Sequence, residues 1–255
     1  MSSPLLQTAH WLKRSNRVLI ITGAGISADS GLPTYRGIGG LYSNSQPEEG
    51  LPIETLLSGL MMKTRPELCW KYIGQIESAC RGALPNTAHK VITLLQQTLP
   101  EVWVLTQNVD NLHHLAGNQN VIEIHGNLTK LYCTSCGTRQ TLPTYANLTL
   151  PPQCPQCSGL IRPEVVLFGE ALPAAALNIL ERQLTLGFDL VLSVGTSSGF
   201  PYIAAPVLGA ISRGIPTVEI NPDSTEISPL VTARIQTTAA DAFKELWSHF
   251  RNPET

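Results

Sequence analysis

Four of the six cysteines stand in two pairs, Cys133-x-x-Cys136 and Cys154-x-x-Cys157, separated by seventeen residues. Two thiolate hairpins at this spacing can close tetrahedrally on one zinc ion, and four soft thiolates leave no open position for a catalytic water. The metal is therefore expected to be structural. The alternative, two redox pairs, would call for a CxxC opening a helix after a strand, and neither pair does so. Cys69 and Cys80 stand apart from these pairs and read as small buried apolar side chains.

A second group of residues could bind a nucleotide. Gly23-Ala24-Gly25-Ile26-Ser27-Ala28 follows the run RVLIIT and fits the G-x-G-x-x-G/A turn of dinucleotide folds, where glycines let backbone amides approach a pyrophosphate. Taken alone, the same residues could be an ordinary tight turn. The acidic ribose reader that a dehydrogenase carries about twenty positions later is missing. The loop continues as DSGLPTYRG, where Arg36 could pair with a phosphate and Tyr35 could cover a ring. Polar residues recur after four further apolar runs: Gln107-Asn108-Val109-Asp110 after VWVLT, His125-Gly126-Asn127 after VIEI, Gly195-Thr196-Ser197 after LVLSV, and Asn221 after TVEI. Five such clusters at strand ends mark the edge at which open α/β sheets bind ligands. His125 can act as a general base near neutrality, and Gly126 leaves space beside it; a purely structural histidine is the competing reading.

Positioning these residues requires a sheet. Short β-branched runs at Val18–Ile21, Val102–Leu105, Val121–Ile124, Val165–Phe168, Leu190–Val194 and Thr217–Ile220 predict buried parallel strands. Helices lie between them. Asn86 or Thr87 caps one with the stripe Ala88, Val91, Ile92 and Leu95, stopped by Pro100; Pro173 and Gly187 bound a second, and Pro201 and Gly214 a third. Phe243, Leu246, Trp247 and Phe250 share one face of the last helix. His113 and His114 fall on a short helix after Asp110 and read as structural. This βαβ alternation predicts an open parallel sheet with helices on both faces. Two stretches interrupt it: residues 38–85, a Gly-rich loop leading into PELCWKYIGQIESAC, and residues 127–162, which hold the paired cysteines. Residues 1–37, 86–126 and 163–255 would then form the sheet domain.

Composition narrows the partners. Charged residues make up 14% of the 255 residues and the net charge is −2, against roughly 25% charged in an ordinary soluble chain. The basic residues are scattered, which argues against direct nucleic-acid binding. Mean hydropathy is +0.06, and no apolar run approaches the ~18 residues of a membrane span. The amino terminus, MSSPLLQTAHWLKRSNR, places its basic residues after the apolar ones and lacks a small-residue cleavage site, so a cytoplasmic protein is expected.

Taken in order, GAGISADSGLPTYRG, TQNVD, EIHGN, the paired CxxC, RPEVVLFGE, GTSS and EIN resemble the sirtuin (Sir2-type) family of NAD-dependent protein deacylases, of bacterial type. The resemblance spans nearly the whole chain. It implies an α/β fold with a Rossmann-like domain, a small zinc-binding domain and a helical insertion, with NAD and acyl-lysine meeting in the cleft between lobes. By this resemblance Gly23, Ala24, Gly25, Ile26, Ser27, Ala28, Tyr35 and Arg36 belong to the cofactor loop. Gln107 lies near the ribose, Asn108, Val109 and Asp110 line the nicotinamide pocket, and Gly195, Thr196, Ser197, Asn221 and Ala240 hold the adenosine half. His125 matches the catalytic base, assisted by Asn108. Val165, Val166, Phe168, Gly169 and Glu170 look like the strand that pairs with a peptide substrate. In the implied reaction the acyl oxygen attacks the ribose carbon as nicotinamide leaves, His125 helps deprotonate a ribose hydroxyl, and the acyl group ends on ADP-ribose.

The chain departs from the family's usual pattern in several places. Thr34-Tyr35 stands where many members have Asp-Phe, and Leu167 where many have Trp. TTAAD offers only Ala239 or Ala240 where a Gly usually precedes the adenine contact. Members that favour acidic acyl groups carry Tyr and Arg where Ile73 and Ile76 align, so a succinyl carboxylate would meet an apolar wall. Acetyl or longer apolar acyl groups are expected. Two other readings use the same residues: a mono-ADP-ribosyltransferase, and a non-catalytic NAD-binding regulatory module. A base such as His125 is superfluous for binding alone.

Overall fold

The computed structural model of the protein describes residues 3–34 and 50–252. Tyr35, Arg36 and the first part of the expected 38–85 insertion lie outside the described residues. In chain order the elements are α1 (Pro4–Arg14), β1 (Arg17–Thr22), α2 (Gly25–Ala28), α3 (Ile53–Leu56), α4 (Gly59–Thr64), α5 (Pro66–Cys80), α6 (Thr87–Thr98), β2 (Glu101–Thr106), α7 (Leu112–Leu115) and β3 (Val121–Glu123). There follow β4 (Gly126–Cys133), β5 (Arg139–Thr141), β6 (Ile161–Val165), α8 (Ala174–Leu186), β7 (Leu190–Val194), α9 (Pro201–Ser212), β8 (Thr217–Ile220), β9 (Ala233–Ile235) and α10 (Ala239–Arg251).

Six strands form one parallel sheet in the order β3-β2-β1-β7-β8-β9. The chain builds outward from β1 through β2 to β3, then returns to lay β7 on the other side of β1. Strand order thus reverses between β1 and β7, and open α/β sheets bind ligands at that reversal. Both faces are covered. Val18 and Ile20 of β1 pack with α6 and α10 through Ile92 and Phe243, while Leu19 and Ile21 pack with α8 and α9 through Leu180 and Ile203. This period of two buries every second side chain on each face and explains why the run is apolar throughout.

Local signals set the helix ends. The Asn86 side chain accepts the Ala88 amide at 2.9 Å, and Leu99 closes α6 ahead of Pro100. Gly187, at φ 82, takes the left-handed conformation that ends α8. No helix among the described residues is long and apolar enough to cross a membrane.

One expected strand belongs elsewhere. The run Val165–Phe168 is not a strand of the parallel sheet: β6 ends at Val165 and lies antiparallel to β4 in a three-stranded sheet ordered β5-β4-β6. An apolar run signals burial without naming the burying surface. Here the cover is the helical insertion, since Leu56, Trp70 and Ile73 share a core with Leu128, Leu131, Ile161 and Leu167. The sixth parallel strand is β9, whose three residues ARI are too short to show a pattern.

Trp70 Nε1 donates to the Ile161 carbonyl at 3.0 Å and its ring meets Tyr145 edge-on at 5.5 Å. The helical insertion and the cysteine module therefore share one core beside the parallel sheet.

Candidate active site

The chain enters the antiparallel sheet from the parallel one through a two-residue link. β3 ends at Glu123 and β4 begins at Gly126, so Ile124 and His125 join the parallel sheet to the antiparallel one. Gly126 has φ +80, and a Cβ there would overlap the carbonyl oxygen of Glu164 on β6. Only glycine fits that close strand approach.

Two bonds fix the His125 imidazole. Its Nδ1 lies 3.0 Å from the Gln107 carbonyl, which can only accept, so Nδ1 carries the proton and Nε2 keeps its lone pair. Nε2 lies 2.7 Å from the Tyr202 hydroxyl, which donates to it. Burial holds the His125 pKa below the usual imidazole value, partly offset by the Gln107 carbonyl. The ring is thus neutral at pH 7, and its one lone pair accepts the Tyr202 hydroxyl.

The other strand ends interlock around it. Gln107 Nε2 donates to Thr196 Oγ1 at 2.7 Å, and Asn221 Nδ2 donates to the Thr196 carbonyl at 3.1 Å. Asn108 Nδ2 donates to the Gly23 carbonyl at 3.0 Å and to Ser27 Oγ at 3.1 Å, while Ser27 Oγ donates to Asp110 at 2.7 Å. The Val109 carbonyl accepts the Leu128 amide at 3.0 Å. Gly25 donates its amide to the Gly195 carbonyl at 2.8 Å, and a Cβ on Gly25 would stand 2.6 Å from Gly195 Cα. The loops after β1 and β7 touch backbone to backbone at the strand-order reversal. Such a cradle of amides, hydroxyls and carboxamides fits a dinucleotide, which needs backbone approach and hydrogen bonds more than fixed charge. Ala24, Ile26 and Ala28 lie on the same loop and short helix, with Ile26 buried. Ser197 follows Thr196 in the β7 loop, and the Ala240 amide at the start of α10 donates to Asp29 at 3.0 Å.

Beyond β6 the backbone is heavily engaged. The Val166 amide donates to the His125 carbonyl at 2.9 Å, the Phe168 amide to Leu57 at 2.9 Å, and the Gly59 amide to Phe168 at 3.0 Å. Glu170 accepts both Arg162 at 2.6 Å and the Leu167 amide at 2.9 Å, so its carboxylate braces the turn through Gly169. Val165 and Phe168 pack against the same core as Ile73.

The four paired cysteines converge. Their sulfur atoms all lie within 4.8 Å of one another, with Cys133 to Cys157 at 3.5 Å and Cys136 to Cys154 at 3.7 Å. A tetrahedron with Zn–S of about 2.3 Å has edges of about 3.8 Å. The thiolate set therefore fits one closed, structural zinc ion. Cys69 and Cys80 do not join it, and burial pushes each thiol up to about 12.

Three further arrangements carry no obvious sequence signal. Tyr202 and Phe200 bracket Pro201 at the start of α9, and their spacing of two shows no contact with a residue 77 positions earlier. Glu123 accepts Lys130 at 2.6 Å, His114 at 3.1 Å and the buried Asn127 side chain. His113, left structural above, is buried with Nε2 3.0 Å from Thr22 Oγ1 and Nδ1 2.7 Å from Asn118 Oδ1.

A parallel sheet whose strand-end loops interlock at its reversal, an imidazole on the link to a second lobe, and four converging cysteines in that lobe make up a two-lobed α/β fold. The chain belongs to the Sir2 family, whose model matches residues 23–200. It is 50% identical over 250 residues to "NAD-dependent protein deacylase 2" of Pseudomonas aeruginosa, covering 97% of each chain. A crystal structure of a Sir2 homolog–NAD complex superposes with a TM-score of 0.86 at 33% identity, covering 96% of this chain and 93% of that one. A Sir2–p53 peptide–NAD+ structure is similar at TM-score 0.81 and 28% identity, covering 95% and 96%.

Proposed function

We propose that the protein is an NAD-dependent protein lysine deacylase that moves the acyl group of an acyl-lysine peptide onto ADP-ribose and releases nicotinamide. The observation that carries this reading is the neutral His125, with Nδ1 held by Gln107 and Nε2 directed as a base, set beside the amide cradle. Gly23 to Ala28, Gln107 to Asp110, Gly195, Thr196, Ser197, Asn221 and Ala240 would hold NAD, with Tyr35 and Arg36 completing the loop. Asn108 and Asp110 share Ser27 and so form one wall, suited to a nicotinamide carboxamide. A peptide along Val165, Val166, Phe168, Gly169 and Glu170 would run beside His125, because Val166 is bonded to the His125 carbonyl. Cys133, Cys136, Cys154 and Cys157 would hold zinc as a structural ion.

The acyl group would be apolar. Ile73 is 1% exposed and Ile76 partly buried in the core that also contains Val109, Val165 and Phe168, so a carboxylate there would be desolvated without a cation. Acetyl or longer apolar chains are favoured over succinyl.

The test incubates the protein with NAD and acetyl-lysine peptide and follows nicotinamide, O-acetyl-ADP-ribose and free lysine peptide by mass. All three should appear, and His125→Ala should abolish the last two at unchanged zinc content. Nicotinamide released with the peptide still acetylated would favour mono-ADP-ribosyltransfer; NAD left intact would favour a binding module. Succinyl peptide turned over faster than acetyl would refute the acyl preference.

A further inference from the structure

The sole lone pair of the proposed base is already taken. His125 Nε2 accepts the Tyr202 hydroxyl at 2.7 Å, and Nδ1 is committed to the Gln107 carbonyl at 3.0 Å. An imidazole in this tautomer has one acceptor site, so a substrate hydroxyl can reach it only through Tyr202 or after Tyr202 leaves.

Three features hold Tyr202 in place. It sits in the first turn of α9, one residue after Pro201, which fixes the backbone there. The Phe200 ring stacks on the Tyr202 ring at 5.4 Å and 14°. The same Phe200 meets His125 edge-on at 5.8 Å and 85°, and Tyr202 meets His125 edge-on at 5.8 Å. Three rings form one aromatic cluster with the hydroxyl-to-imidazole bond inside it, while Phe200 and Tyr202 both keep contact with solvent. Tyr202 is therefore half-buried rather than sealed in the core.

We propose that Tyr202 is a further catalytic residue, a proton relay between the ribose hydroxyl and His125; this rests on the deacylase reading. In the relay, the Tyr202 proton passes to His125 Nε2 as the ribose hydroxyl proton passes to the Tyr202 oxygen. The ribose oxygen bonds to the imidate carbon as its own O–H bond breaks and the C=N π pair moves onto the lysine nitrogen. Tyr202 ends neutral, and His125 becomes an imidazolium whose Nδ1–H stays on the Gln107 carbonyl. When the C–N bond then breaks, the imidazolium proton passes through Tyr202 to the departing lysine nitrogen. A neutral tyrosine throughout suits the site, because burial pushes the phenol pKa up and makes a free tyrosinate costly.

Tyr202→Phe keeps the ring stack and removes only the hydroxyl. General acid–base participation is worth about 100-fold or more, so O-acetyl-ADP-ribose formation should fall by about that factor while both KM values stay within about two-fold. Exchange of labelled nicotinamide into NAD precedes the base-dependent step and should continue. In a His125→Ala background the same substitution should add less than about two-fold. The His125 titration followed by NMR should move upward in Tyr202→Phe, since the hydroxyl donates to the neutral ring only.

The relay is overturned if Tyr202→Phe forms product at the wild-type rate or faster, as a displaced lid would. It is also overturned if exchange falls in parallel with product, or if the His125 titration does not move. Wild-type protein that leaves NAD intact would refute the deacylase reading, and the relay with it. Wild-type product formation with an unaffected Tyr202→Phe would refute the relay alone.

Discussion

Glu123 gives a sharp test of what stabilises the end of β3 beside the link to the second lobe. It ends β3, two residues before His125, with its side chain 14% exposed. It accepts from His114, Lys130 and Asn127, and these partners hold its carboxyl down from 4.5 to about 2 despite burial. A group with a depressed folded pKa contributes stability that is fully present above its unfolded value and is lost as pH falls towards the folded one. At about 1.4 kcal/mol per pH unit the shift corresponds to roughly 3 kcal/mol, and screening of the half-exposed Lys130 and His114 lowers this to about 2. Glu123→Gln should therefore cost about 2 kcal/mol at pH 7, and the deficit should shrink by about half by about pH 3.5. Urea denaturation of the zinc-loaded wild type and variant at matched pH measures that difference, in which other titrating groups cancel. A variant as stable as wild type at pH 7, or a deficit constant from pH 7 to pH 3.5, would refute the reasoning.

Gly126→Ala should cost about 3 kcal/mol, from the left-handed backbone and the overlap with the Glu164 carbonyl; a melting temperature within a degree of wild type would count against it. A zinc chelator should change Trp70 fluorescence, read as the difference from Trp70→Phe, before far-UV circular dichroism reports loss of the parallel sheet, because Trp70 shares its core with Cys133 and Cys154. Simultaneous loss of both signals would mean that the lobes do not unfold separately. His89 is fully buried, neither ring nitrogen has a hydrogen-bond partner among the described residues, and its pKa is held down at about 3. Its contribution is therefore lost as pH falls from about 6.5 towards 3, and His89→Leu should flatten the pH dependence of stability in that window; an unchanged slope would contradict the burial argument.

The parallel sheet was legible because each central strand is buried on both faces and so reads as an unbroken apolar run, and because Asn86, Pro173 and Gly187 carry local cap chemistry. Val165–Phe168 misled for the same reason: burial under helices α3 to α5 looks identical, in one dimension, to burial inside a sheet. β9 was invisible because Ala233, Arg234 and Ile235 are held by register with β8 rather than by propensity. The polar clusters at the strand ends showed in the sequence. Their partners did not, because Gln107 meets Thr196 across 89 positions and His125 meets Tyr202 across 77. A contact at that separation is a property of strand order, which local spacing does not encode.

Strand order also accounts for how little charge the cradle uses. Gln107, Asn108 and Asn221 stand at the ends of β2 and β8, and each spends its side-chain N–H on a neighbouring loop: Thr196 Oγ1, the Gly23 carbonyl and the Thr196 carbonyl. Each amide is thereby oriented before any ligand arrives, without burying a fixed charge. His125 needs a different device, because it lies on the link between two sheets rather than at the end of one. Its ring is set from the parallel sheet through the Gln107 carbonyl, its carbonyl from the antiparallel lobe through the Val166 amide, and its lone pair from α9 through Tyr202. An imidazole so fixed from three sides keeps its place only while both lobes keep theirs. Cys133 and Cys154 lie in the lobe that supplies the Val166 contact and share its core with β4 and β6.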